Sequence, residues 1–203
     1  MPLITHFVDS LSVRKGSDSV TNPYLDGDKA YNLELYLRSI VKQPHVLFIG
    51  EAPGYHGCAK TGIPFTSHVQ LQYGVHPIID AMLPRIKVCN DNDSESTATC
   101  FWKTMKKYDI KPCMWNVFPF HPHESGNQIK NRTPSAQEIE EGYAYLKMLL
   151  EFLPYDCIVA VGSKADVLLT QKNIKHLHVR HPARGGQIIF DRQIGKEFGG
   201  NYK

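Results

Sequence analysis

The chain contains no apolar run of eighteen residues, so nothing in it reads as a membrane span. Its first residues lack a charged segment followed by an apolar one, so no secretory signal peptide is expected. None of its five cysteines, Cys58, Cys89, Cys100, Cys113 and Cys157, belongs to a Cys-x-x-Cys pair, and the number is odd. A disulfide framework and a paired-thiolate zinc or iron–sulfur site both lose support. No internal repeat is visible. Neither sign of charge dominates: 23 Lys and Arg against 20 Asp and Glu leave a net charge of +3. That balance tolerates a polyanion without demanding one. A reducing cytoplasm is the expected compartment, and no cofactor or metal is expected.

What is present is ordinary for a globular protein, with 42% hydrophobic and 21% charged residues in a chain of 203. Such a chain buries a core without staples. One domain is expected over residues 1–203, with 1–28 as an N-terminal extension. Met1 to Asp28, broken by Gly16, Asn22, Pro23 and Gly27, reads as loop-like. Cys89 to Thr99 is short, polar and acidic, and reads as an exposed loop.

Between and beyond these stretches the chain alternates. Tyr31 to Val41 repeats Leu33, Leu37, Ile40 and Val41 at helical spacing, and Pro44 stops it. Val46 to Ile49, Cys113 to Val117, Cys157 to Val161 and Leu177 to Val179 are short apolar runs, read as buried strands. Ser135 and Glu138 form a capping box for a helix carrying Ile139, Tyr143, Leu146, Leu150 and Leu153, ended by Pro154. Ser163 to Leu169 reads as a short helix. Buried strands alternating with helices predict a parallel sheet covered on both faces. Ligands of such sheets sit beyond the carboxyl ends of the strands.

Four loops therefore matter. Gly50-Glu51-Ala52-Pro53-Gly54 follows the first strand, either as a plain turn or as a loop presenting amides to a ligand. Gly54 to Thr61 nearly matches a P-loop, but Ala59 stands where glycine is needed, and Gly62 and Pro64 oppose the required helix. Phe65 sits among turn residues, either folded onto the core or offered to a ligand. Asn116 ends an otherwise apolar strand. Its amide is satisfied either by backbone or by the edge of a ligand. His121 and His123 read as loop residues without a third metal ligand. His181, fixed by Pro182, precedes Arg184 in a Gly-Gly loop, and this is either a basic surface loop or an imidazole beside a cationic finger. His176, His178 and His181 lack a carboxylate or thiolate to complete a metal set.

Together these pieces resemble the uracil-DNA glycosylase superfamily, and most closely its family 4-like branch with a GEAPG first motif. The likeness runs from Val46 to Pro182. Gly50 to Gly54 and Thr61 to Phe65 (TGIPF) look like motif one and its aromatic extension, and Asn116 stands at the base-reading position. Asn131-Arg132-Thr133-Pro134, Glu138 and Tyr145-Leu146 look like the entry to the helix after the second strand. Val159 to Ala165 (VAVGSKA) resembles a family turn, and His181-Pro182 looks like motif two. The chain departs from the pattern in four places. Its span from Gly50 to Phe65 is slightly longer than in typical members. It lacks the iron–sulfur cysteines. Tyr55, His56, Gly57 and Cys58 replace the acidic residues after motif one. Ala183 replaces the serine of motif two.

The resemblance implies a three-layer α/β/α sandwich around a mainly parallel four-stranded sheet. It implies hydrolysis of the N-glycosidic bond of uracil or a related deaminated base in DNA, without a cofactor, by a monomer whose partner is DNA. Phe65 would stack on the flipped base, Asn116 would read its edge, and His181 would meet its O2. Glu51 would orient the water, with His56 the second candidate. Ala52 and Tyr55 would line the base pocket. Arg184 would fill the space the base leaves, while Ser67, Ser163, Lys164, Arg180 and Arg192 would meet phosphates. The substituted Tyr55–Cys58 segment keeps a catalytically altered DNA-binding module in play. Hypoxanthine or xanthine remain alternative bases. A P-loop hydrolase is the third alternative.

Overall fold

A computed structural model describes residues 2–42, 46–87 and 92–200. The chain opens with α1 (Pro2–Ser12), the two-residue strand β1 (Val20–Thr21), a 3-10 turn (Pro23–Leu25) and α2 (Gly27–Ile40). Then come β2 (Val46–Gly50), the short helices α3 (Cys58–Thr61), α4 (His68–Tyr73) and α5 (Pro77–Asp80), and α6 (Ser96–Lys107). The strands β3 (Pro112–Asn116), β4 (His121–Glu124) and β5 (Asn127–Asn131) lead into α7 (Ala136–Phe152). The chain closes with β6 (Cys157–Val161), α8 (Ser163–Gln171), β7 (Leu177–Val179) and α9 (Gln187–Phe198).

The expected four-stranded sheet is present, parallel throughout, in the order β3-β2-β6-β7. All five residues of β2 are buried, as an inner parallel strand requires. Alternation sorts side chains onto two faces. Phe48 of β2 packs edge-on against Phe101 of α6, whose ring also meets Phe190 of α9. On the opposite face Trp115 of β3 meets Phe7 of α1 at 5.2 Å, and Phe7 meets Phe152 of α7. Helices thus cover both faces. On the edge strand β3, the Tyr36 hydroxyl of α2 donates to Pro112 O and accepts the Met114 N–H, both at 3.0 Å.

β3 lies on one side of β2 and β6 on the other, so the connection from β3 to β6 steps back across β2. The carboxyl end of β2 is therefore at the switch point of the sheet, where a crevice opens.

Several expectations need correction. The N-terminal stretch is not loop-like. Ile4, Phe7, Val8 and Leu11 recur at i, i+3, i+4 and i+7, and all four are buried in α1. Asn22, itself buried, donates to Leu11 O and Arg14 O and accepts the Tyr24 N–H, which ties the end of α1 to the following turn. Residues 89–91 of the expected acidic loop lie outside the described residues, as does the Pro44 stop. The end of that loop is helix: α6 begins at Ser96, and Thr97 and Ala98 are buried. His121 and His123 are not loop residues. They lie on β4, in a small antiparallel sheet of order β1-β4-β5 that the sequence reading did not contain. The helix after Ser135 is as expected. Ser135 accepts the Glu138 N–H, and Glu138 accepts the Ser135 N–H.

Candidate active site

β2 and β3 stay paired beyond their formal ends. Val117 N–H donates to Gly50 O at 2.8 Å and Phe118 N–H to Glu51 O at 3.0 Å. Gly50 is in register with Asn116. A Cβ on Gly50 would lie 2.5 Å from Phe65 Cζ and 2.8 Å from Asn116 Oδ1. Glycine is needed here because the Phe65 ring and the Asn116 amide both occupy the space above it. Phe65 reaches this place through a backbone at φ 54°, in the left-handed region. Holding a non-glycine residue there costs about 1–2 kcal/mol. Stacking of its ring on Phe101, at 4.8 Å and 26°, opposes that cost. The two readings of Phe65 merge: it is core on Phe101 and also wall of the cleft.

The cleft measures about 600 Å³, within the range of small-ligand sites. Asn116, only 5% exposed, lines it, and its side-chain amide has no partner among the described residues. Backbone satisfaction, one of the two readings, is therefore absent. Glu51 also lines the cleft, and its buried Oε1 has no hydrogen-bond partner among the described residues.

The facing wall comes from β6 and β7. Gly162 N–H bonds Val179 O at 2.8 Å, and a Cβ on Gly162 would sit 3.1 Å from that of His181. Burial lowers the His181 pKa below the usual imidazole value, and the nearby Arg180 and Arg184 charges lower it further. His181 Nδ1 accepts the Ala183 N–H at 3.1 Å. Ser163, Lys164, Arg180, Ala183 and Arg184 share this wall, and Arg184 has φ 51°.

A third wall joins Asn131, Arg132 and Thr133 to Glu95, Ser96 and Thr97. Asn131 Oδ1 accepts the Tyr55 N–H and so braces the motif-one loop. Arg132 grips both Glu138 oxygens at 2.7 Å and also donates to His123 O and Ser19 O, a structural set of bonds. Glu95 was missed by sequence reasoning. Nothing local marks it, since only the fold brings it to the cleft.

Of the residues expected at the site, Glu51, Ala52, Phe65, Asn116, Ser163, Lys164, Arg180, His181 and Arg184 converge on this cleft. Four do not line it. His56 is half exposed, and its Nδ1 lies 2.7 Å from Asp93 Oδ1. Tyr55 packs its ring against His56 and beneath the Lys60 ammonium. Ser67 is fully buried. Its hydroxyl donates to Gln70 Oε1 at 2.6 Å and accepts the Glu95 N–H, so no phosphate reaches it. Arg192 is exposed on α9, outside the cleft wall.

The rival chemistries fare as follows. α3 begins at Cys58 and ends at Gly62 in a left-handed turn, so no helix opens at Lys60, which faces Asp93 at 3.6 Å. Among the described residues no group of three His, Cys, Asp or Glu side chains converges to hold a metal. The four cysteines among the described residues do not gather as iron–sulfur ligands either; Cys89 lies outside the described residues. Cys113 and Cys157 lie on strands either side of β2, Cys58 is on α3 and Cys100 on α6. Burial pushes the Cys58 thiol up to about 12, so it is protonated where it lines the cleft. His176 pairs with Asp166 at 3.0 Å, with His178 at 3.6 Å from the same carboxylate, apart from His181. Among the described residues no helix is long and apolar enough to cross a membrane.

Comparison with known families defines the class. The model of the uracil DNA glycosylase superfamily matches residues 38–193, and the chain belongs to that superfamily. The crystal structure of wild-type SMUG2 from Pedobacter heparinus is similar over 97% of this chain and 97% of that one, with a TM-score of 0.72 and 15% identity. That likeness shows the fold. No curated protein matches.

Proposed function

We propose that this chain is a monofunctional DNA glycosylase that hydrolyses the N-glycosidic bond of uracil in DNA and so initiates base excision repair. It acts as a monomer, in one domain, without a cofactor. One observation carries the reading: the nearly buried Asn116 amide, without a protein partner, beside the Phe65 ring in a cleft at the switch point of the sheet. The amide faces the cleft, so a base that displaces water from it must match its donor and its acceptor or leave them unpaired.

Chemistry inside a base stack requires the nucleotide to leave it. Phe65 then stacks on the flipped pyrimidine, which is worth about 1–3 kcal/mol per base. Asn116 offers a donor to O4 and an acceptor to N3–H. Cytosine reverses that pattern and would leave both groups unpaired. As the glycosidic bond breaks, negative charge collects on the base, and His181 donates to O2. Glu51, with an unpartnered oxygen in the cleft, holds the water. Lys164, Arg180 and Ser163 meet phosphates, which position the duplex without reading sequence. Arg184 enters the space the base vacates.

The test is single-turnover cleavage of oligonucleotides containing uracil, hypoxanthine or xanthine, single- and double-stranded, in EDTA. Uracil release is expected. Release of a purine alone would move the substrate. Binding of DNA without release of any base would make the chain a binding module.

A further inference from the structure

Glu95 stands in the cleft without a role in that mechanism. It precedes α6 and lines the same cavity as Glu51. Its position is built. The Ser67 hydroxyl accepts its N–H at 3.2 Å, and Ser67 bonds Gln70 Oε1 through both backbone N–H and hydroxyl. Gln70 Nε2 donates to Thr99 Oγ1, and Thr99 N–H bonds back to Glu95 O. Space for the carboxyl is also reserved. A Cβ on Gly54 would be 3.0 Å from its Oε1, and a Cβ on Gly57 would coincide with its Oε2. Thus the carboxyl lies over the motif-one loop where a loop side chain would otherwise stand.

Loop bracing does not explain it. Gly57 N–H and Ala59 N–H both bond Gly54 O, and Tyr55 N–H bonds Asn131. Among the described residues nothing donates to the Glu95 carboxyl, so its lone pairs are open to the cleft. His56 and Cys58 are its charged or titratable neighbours on the loop side. Arg132 shares its wall, and the other charged or titratable groups that line the cleft are Glu51, Lys164, Arg180, His181 and Arg184.

We propose that Glu95 is the general base of this active site, accepting the proton of the water that Glu51 holds. The inference rests on the glycosylase reading. Water oxygen bonds to C1′ as the C1′–N1 bond breaks. The bonding pair leaves on the base, and the water proton moves to the Glu95 carboxylate and then to solvent. The departed base anion takes a proton from solvent. Burial raises the Glu95 pKa above the usual carboxyl value, which strengthens it as a base, and His56 opposes that rise.

The experiment compares wild type with Glu95→Gln, Glu95→Asp, Glu51→Gln and Gly57→Ala. It measures single-turnover uracil release against pH, affinity for DNA carrying a non-cleavable 2′-fluoro-deoxyuridine, and thermal unfolding. Glu95→Gln should slow release by about a hundredfold or more and remove the acid-side fall in rate, with unchanged affinity and unfolding. Glu95→Asp should recover part of the rate and restore the fall. Gly57→Ala, by displacing the carboxyl, should reproduce Glu95→Gln even if the latter folds poorly. Wild-type rates in Glu95→Gln overturn the inference. So does an acid-side fall that survives there but vanishes in Glu51→Gln, or a parallel loss of rate and affinity that Glu95→Asp does not relieve. An inert wild type overturns the glycosylase reading and this inference with it. An active wild type with an indifferent Glu95→Gln overturns this inference alone.

Discussion

The backbone N–H of Ala183 donates to Nδ1 of His181 at 3.1 Å, so the neutral imidazole carries its proton on Nε2. A ring so fixed offers a donor without being charged, and burial with two nearby arginines keeps it uncharged at neutral pH. His181→Ala should lower uracil excision at least about a hundredfold. Ala183→Pro removes the N–H that fixes the tautomer and should cost about tenfold. Because the His181 pKa is lowered, charging of this ring should begin only below the ordinary imidazole value of about 6.5. Single-turnover rates, with ring titration followed by NMR, check all three.

Asn116 and Gly50 separate reading from shape. Asn116→Ala removes the amide proposed to read the base and should lower excision at least about a hundredfold with little change in unfolding. Gly50→Ala forces a methyl against Phe65 and Asn116 and should lower both activity and stability, the latter by about 1–3 kcal/mol. Thermal melts beside the rate measurements distinguish the two.

Lys60→Ala should leave excision almost unchanged. Its ammonium faces Asp93 and the Tyr55 ring, partly exposed contacts worth at most about 1 kcal/mol. A nucleotide hydrolase built on this loop would lose its activity, so one rate measurement decides.

Glu138 ties Arg132 and the start of α7 together. The Arg132 guanidinium holds its carboxyl below the usual range. Glu138→Gln should cost about 1–3 kcal/mol in urea unfolding at neutral pH. The folded pKa is depressed, so this stability is fully present above the unfolded value of about 4.3 and is lost as pH falls through the lower folded one. The difference between wild type and variant should shrink in that acid window.

What was legible followed from local rules. The buried strands, the capping box at Ser135 and the loops after each strand need only neighbours in sequence. The N-terminal helix carried its period in Ile4, Phe7, Val8 and Leu11, but it has only eleven residues and is held by tertiary packing on α2 and α7. Gly16 and Asn22 drew attention to the turn that follows instead. The start of α6 was hidden because Ser96 and Thr97 continue an acidic, polar run. The exposed strand β5 buries no side chain and so has no apolar pattern to read. Ser67 and Glu95 illustrate the deeper limit. One looked like a surface hydroxyl and the other like a loop acid, and only their mutual bond, across 28 positions, shows what each holds.

Tyr36 also bears on how the molecule meets copies of itself. A bare strand edge is a template on which another chain can pair. On β3 the Pro112 carbonyl and the Met114 N–H are both taken by one phenol from within the chain. An incoming strand would have to displace a fully buried ring before its first ladder bond could form. Growth of the parallel sheet by edge-to-edge pairing is thus blocked at β3 by a single side chain.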